Sequence, residues 1–284
     1  MTTPPPDGSR DLRIEDPSNR WLIHPAARAL LPAALRARVP ADAVSVAGLL
    51  LGLGAATAFG HWRSPVAVAG ALLLMLAWLV MDGLDGKIAR ATGKSSAWGR
   101  ALDGMCDHLV FIAAYVAVAG SIGTASGWTL AVVAGAGHAV QSALYEGERY
   151  RFHRRLKGES LTPAGPRPLN PLVWIYDAVA GGLDRLTRPF ERALAAAPDP
   201  LAAGRRYGDA AVPPMRLMAL LTANTRVFLL ASACFAGAPT LFWWAEIGPL
   251  TLILLIGLAW HRRVETQCLL AHPGPAGDRP HLCA

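Results

Sequence analysis

Residues 81–110, MDGLDGKIARATGKSSAWGRALDGMCDHLV, set four aspartates (Asp82, Asp85, Asp103 and Asp107) between two strongly apolar runs. A carboxylate next to hydrocarbon is costly, so ionisable groups at the ends of membrane-like segments point to function by default. Their phase is helical. Asp82, Asp85, Gly86 and Ala89 stand at i, i+3, i+4 and i+7, and Gly99, Asp103 and Asp107 at i, i+4 and i+8, so each set shares one helix face. The polar link Ala91–Ala97 is short enough to make the two helices antiparallel neighbours, which is expected to bring the acidic faces together. Oxygen-only donors of this kind suit Mg²⁺ or Mn²⁺.

Working outward, the composition is that of a polytopic membrane protein: 53% of the 284 residues are hydrophobic and only 17% charged, which excludes an ordinary soluble domain. The net charge of +7 does not indicate nucleic acid, because the basic residues flank apolar runs, where topology and anionic headgroups favour them. Cys106, Cys234, Cys268 and Cys283 show neither a CxxC pair nor zinc spacing. Cys106 reads as a packing residue. Cys268 and Cys283, with His272 and His281, lie in a Pro- and Gly-rich stretch that reads as tail. No secretory signal is expected at the N-terminus.

Residues 1–18 read as a disordered tail. From residue 19 to 39, Trp21, Leu22, Ile23, Leu30, Leu31 and Leu35 alternate with Arg20, Arg28, Arg36 and Arg38, the pattern of an interfacial amphipathic helix. Pro40 closes it. The expected fold is all-α and membrane-embedded, with six spans at about 41–60, 65–88, 98–121, 127–148, 216–237 and 243–261, each near the ~20 residues a bilayer requires. Residues 40–262 thus form the catalytic domain. A connection over 150–214 carries amphipathic surface helices, and residues 263–284 form a second tail. Lys and Arg concentrate in the N-terminal segment, the 89–100 and 149–206 loops and the start of the C-terminal tail. The opposite turns carry only Arg63, so both termini and the acidic cluster are expected on the cytoplasmic side. The sixteen uncharged residues from Val66 to Met81 span about 24 Å. This puts Asp82 and Asp85 near the cytoplasmic boundary of a ~30 Å hydrocarbon core, within reach of a substrate with a lipid tail and a polar head.

Written as a pattern, the stretch is Asp82-x2-Asp85-Gly86-x2-Ala89-Arg90-x8-Gly99-x3-Asp103-x3-Asp107. It resembles the signature of the CDP-alcohol phosphotransferase family at all eight defining positions, and the layout of 20–262 is similar to that family as well. The resemblance implies transfer of a phosphoryl-alcohol group from a CDP-linked alcohol to an acceptor hydroxyl, with release of CMP. It also implies a homodimer. On charge grounds, breaking a pyrophosphate calls for one or two divalent ions, for which Asp82, Asp85 and Asp103 are the natural ligands. Asp107, a turn further along the second helix, is placed to act as general base. The resemblance gives the last aspartate that role and a possible contact with the second metal. Asp82, Gly86, Ala89, Arg90 and Gly99 are the expected CDP-binding positions, the small residues giving the nucleotide close access to backbone. Small residues also pack spans, and Arg90 is also an ordinary positive-inside residue.

Four further residues are weaker candidates for acceptor or phosphate contacts: Asn224 and Arg226 in the fifth expected span, and Tyr145 and Arg149 at the cytoplasmic end of the fourth. His138 and Gln141 read as interhelical hydrogen-bond partners. The start of the first span, Pro40–Asp42–Ser45, departs from the Asn- and Thr-containing form common in the family, so no nucleotide contact is assigned to it.

Within this reading, the donor is CDP-diacylglycerol with a small polar acceptor, or CDP-choline or CDP-ethanolamine with a lipid hydroxyl. Leu102–Asp103 and the basic region after the fourth span favour the first. A cation-coupled transporter would place its acids at the midplane between repeated halves. Here they sit at one edge, and there is no repeat. A prenyltransferase would carry Asp-rich motifs on separated helices rather than in one compact block.

Overall fold

A computed structural model describes residues 11–94, 97–159 and 187–270, with side chains described for all of these except 97–104 and 270. Every regular element among them is helical. A π-helical turn, Asn19–Ile23, leads into α1 (His24–Arg36), followed by α2 (Ala41–Phe59), α3 (Pro65–Ala91), α4 (Ala97–Ile122) and α5 (Ala125–Leu156). Residues 187–196 form helix α6. Then come α7 (Pro200–Met218), α8 (Ala223–Phe235), α9 (Thr240–Ala245) and α10 (Thr251–Leu270).

Among the described residues, four helices are long and apolar enough to cross a membrane: Ala41–Phe59, Pro65–Ala91, Met105–Ile122 and the continuous stretch Thr240–Leu269. A fifth is reached if the bent pair Pro200–Leu221 and Ala223–Phe235 counts as one span. The six expected spans are therefore not reproduced by length and apolarity alone. Where a fourth span is expected, α5 forms but carries Gly, Ser, His138 and Gln141 in its apolar half and charges beyond Tyr145. Where a single fifth span is expected, the helix breaks at Thr222, leaving α8 with 13 residues, about 20 Å.

The chain divides into two compact units. Among the described residues, one comprises 16–94, 97–139 and 222–249, the other 11–15, 140–159, 187–221 and 250–270. In the first unit α2 packs along α3 and α4. Small residues on α2 permit this approach. A Cβ on Gly52 would lie 2.3 Å from Val110 Cγ2, and one on Gly48 would lie 3.2 Å from Met81 Cβ. The core between these helices is aromatic. Trp78 of α3 meets Phe111 of α4 edge-on with centroids 5.6 Å apart, and Tyr115 meets Phe242 at 5.5 Å, geometries that suit the ring quadrupoles. Helix α1 and its π-turn rest on α3 through Ile23 and Ala27, both buried. At Gly83 a Cβ would sit 3.5 Å from Ile23 Cγ2 and 3.7 Å from Ala27 Cβ.

Two helix ends have clear causes. Ser64 caps α3 by accepting from the Ala67 amide, and Pro65 occupies its first position, the favoured N-terminal combination. At the other end Gly93 takes φ +66°. The Lys94 amide donates to Ala89 O and the Gly93 amide to Arg90 O, a Schellman closure that requires this left-handed residue. The helix bearing Asp82 and Asp85 therefore stops at Ala91, one residue after Arg90.

The second unit is held by α5, α6, α7 and α10. Gly257 of α10 lies against Met218, whose Cγ would be 2.2 Å from a Cβ there. Part of the expected N-terminal tail is engaged here. The Asp11 amide donates to His153 Nε2 at 3.1 Å, and Arg13 pairs with Asp11 and Asp209. Residues 1–10 and 271–284, with His272, His281 and Cys283, lie outside the described residues, as do residues 160–186 of the expected connection.

Candidate active site

Asp82, Asp85, Gly86, Ala89 and Arg90 occupy the last three turns of α3. Asp85 is the most enclosed, with 5% exposure. Its Oδ2 accepts a 2.5 Å hydrogen bond from Ser45 Oγ on α2. Asp82 and Gly86 are half-buried and Arg90 is exposed. The Arg90 guanidinium folds back over Gly86, its Nη1 lying 3.3 Å from where a Cβ would be. The absent side chain at position 86 leaves room for this guanidinium to lie against α3.

On α4, Asp107 is half-buried, one residue after the buried Cys106. Gly99 and Asp103 are helical residues of α4, but their side chains lie outside the described set. Helix α2 touches both acid-bearing helices, and Trp78 and Phe111 bring α3 and α4 into direct contact. The donor chemistry is carboxylate oxygen without sulfur or imidazole among the motif residues, which fits a hard divalent cation.

The weaker candidates are engaged with the protein. Arg226 and Glu246 form an ion pair of 2.9 Å, with side chains 1% and 0% exposed, and His138 Nδ1 lies 3.3 Å from the same carboxylate oxygen. Tyr115 extends the chain to His138 at 3.4 Å, so His138 is an interhelical partner, as its sequence setting suggests. Asn224, in the first turn of α8, donates to Ser18 Oγ at 2.6 Å and Asn19 Oδ1 at 2.8 Å. Asp16 accepts from Thr222 at 3.2 Å. These bonds tie residues 16–19 to the start of α8. Gln141 donates to Thr251 at 3.0 Å. Tyr145 is buried beneath Arg149, which pairs with Glu146 at 2.5 Å.

The sequence reading missed a buried ionic network in the second unit. Glu148, His261 and Glu265 bring one potential ligand atom each within 4.8 Å of one another. Their charges, however, are met by arginine. Arg262 bonds both Glu148 and Glu265, Arg151 bonds Glu148 at 2.9 Å, and Arg155 bonds Glu265 at 2.5 Å and Glu191 at 2.7 Å. Tyr207 joins Arg155 to His261, and Arg154 adds a 2.6 Å bond to Glu191. With the carboxylates already neutralised, the cluster is an ion network that holds α5, α6, α7 and α10 together. Burial raises the Glu191 carboxyl, but Arg154 and Arg155 outweigh it and hold the group below the usual carboxylate range. The signal was present in EGERYRFHRR and HRRVE, where acids and arginines recur at helical spacing.

Ser45 and Gly48 were also missed as site elements. With Gly52 they stand at i, i+3 and i+7 on α2, a stripe of small residues of the kind that lets membrane helices approach closely.

Apolar helices of spanning length mark an integral membrane protein, and a carboxylate pair stands near the end of one of them. Residues 38–158 match the model of the CDP-alcohol phosphatidyltransferase family, a segment that includes α2, α3, α4, α5 and the whole eight-position motif. The family transfers substituted phosphate groups from a CDP-alcohol donor to an alcohol acceptor. No curated protein and no solved structure matches the chain significantly.

Proposed function

We propose that this protein is a divalent-metal-dependent phosphotransferase of phospholipid synthesis that moves a phosphatidyl group from CDP-diacylglycerol to a small polar alcohol. The observation that carries the reading is the complete motif inside the matched segment. In this reading Asp82, Asp85, Asp103 and Asp107 hold Mg²⁺ or Mn²⁺, two ions in all. When bound, the ions neutralise the pyrophosphate and stabilise charge developing on the leaving phosphate. Asp82, Gly86, Ala89, Arg90 and Gly99 hold the CDP moiety, and the Arg90 guanidinium over Gly86 stands ready to pair with a phosphate oxygen. Asp107 takes the proton of the acceptor hydroxyl as its oxygen attacks the phosphorus that bears the lipid alcohol. The bond from that phosphorus to the CMP oxygen breaks, and CMP leaves with the electron pair.

The wider reading places six spans in the cell's inner membrane, with α5 and the α7–α8 pair completing the four apolar helices. The site then opens to the cytoplasm. Exposed Trp21, Leu22, Leu30 and Leu35 support residues 19–39 as an interfacial helix. A homodimer follows from the family likeness.

The test is CMP release from purified protein given a panel of CDP-alcohols and acceptors with Mg²⁺ or Mn²⁺. Release is expected with CDP-diacylglycerol plus a polar acceptor, and chelation should abolish it. Release only with CDP-choline or CDP-ethanolamine plus a lipid hydroxyl would reassign the donor. No release with any pair would overturn the proposal.

A further inference from the structure

The hydrogen bond between Ser45 and Asp85 joins α2, which contributes nothing to the eight-position motif, to a buried carboxylate of that motif. Both residues are buried, at 8% and 5% exposure. Ser45 Oγ lies 2.5 Å from Asp85 Oδ2 and 3.3 Å from Ala41 O. A serine hydroxyl has one proton to give. In a helix interior its usual local acceptor is the carbonyl four residues back. The two distances decide the competition: the proton goes to the carboxylate, at a length typical of charge-assisted O–H···O⁻ bonds. The approach that makes this possible is built in one turn later, where Gly48 leaves no side chain between α2 and Met81 of α3.

A carboxylate on a helix rotates about its terminal torsion within a broad well. A fixed donor on a second helix narrows that rotation. We propose that Ser45 is a positioning residue for the phosphotransfer, fixing the Asp85 carboxylate in the rotation that presents it to a divalent cation. The inference rests on the reading of Asp85 as a metal ligand. Outer partners of this kind change metal affinity or activity by roughly 10–100-fold when removed.

The experiment titrates Mn²⁺ into purified full-length protein without substrate and follows the free-ion signal by electron paramagnetic resonance. Wild type, Ser45→Ala, Ser45→Thr and Asp85→Asn are compared, and CMP release is measured against Mg²⁺ on the same samples. Ser45→Ala is expected to weaken Mn²⁺ binding roughly 10–100-fold. It should raise the Mg²⁺ half-saturation for turnover by the same factor, with kcat largely recovered at saturating Mg²⁺. Ser45→Thr, which keeps the hydroxyl, should retain wild-type affinity. If Ser45→Ala does not remain folded, Ser45→Cys, of nearly the same size but a weak donor, must show the same weakening. Unchanged Mn²⁺ affinity in the alanine or cysteine variant, or lost turnover at unchanged metal half-saturation, would overturn the inference. So would Asp85→Asn binding Mn²⁺ like the wild type. Failure of the wild type to release CMP would instead sink the functional reading, and the Mn²⁺ titration would still judge Ser45.

Discussion

Arg226 and Glu246 neutralise each other 2.9 Å apart in the interior of the first unit, with side chains 1% and 0% exposed. Removing either partner leaves a buried charge uncompensated, which typically costs about 3–5 kcal/mol. Arg226→Met and Glu246→Gln should therefore each lower thermal stability markedly in detergent. The double variant Arg226→Met/Glu246→Met should recover most of the loss, because well-packed apolar replacements of buried pairs are often neutral. If Arg226 instead holds an acceptor phosphate, the recovered double variant will show a raised KM for the acceptor.

Asp107 carries the sharpest catalytic expectation. Asp107→Asn should reduce kcat by about 10²–10⁴-fold, the usual worth of a general base, and leave binding of the CDP donor largely intact. Asp82→Asn should lose donor binding. Equilibrium binding of a labelled CDP-alcohol alongside CMP release separates the two. Equal loss of donor binding in both variants would make Asp107 chiefly a metal ligand.

Gly52 is a contact point between α2 and α4. A methyl there would come within 2.3 Å of Val110 Cγ2, so Gly52→Ala should destabilise the protein by about 1–3 kcal/mol through overpacking. Adding Val110→Ala should restore much of the loss, which thermal unfolding of the single and double variants will show.

Glu191 gives a pH dependence. Its carboxyl is held below the ordinary value of 4.5, so on acidification the unfolded chain takes up this proton first. The stabilisation is complete above about 4.5 and is lost as pH falls through the lower folded value. Unfolding temperature should therefore drop on the acid side, and Glu191→Gln should flatten that drop while lowering stability at neutral pH.

Much of the helical scheme was legible because it rests on local pattern. The apolar runs of α2, α3 and α4, the break at Pro40, the polar link after α3, and the shared phase of Asp82 and Asp85 are all properties of short windows. Ser45 was set aside because its neighbourhood departs from the family's usual residues, yet its contact depends on the distance between two helices. No window of sequence contains that distance. The Glu148–His261–Glu265 network was hidden for the same reason: its other members lie 113 and 117 residues from Glu148 along the chain. The break at Thr222 was missed because an apolar run shows how much hydrocarbon is available, whereas backbone geometry decides whether one helix uses it.

The position between the two aspartates of α3 has a consequence for sequence variation. The motif leaves Gly83 and Leu84 blank, as though any residue would serve. Leu84 is buried among Ala27, Val44 and Ile88, and the space above Gly83 is filled by Ile23 and Ala27 at ordinary contact distance. Alanine fits at 83, but a longer side chain must lift α1 from α3. In natural variants of this chain, position 83 should accept little beyond glycine and alanine, and any larger residue there should be accompanied by a smaller one at 23 or 27.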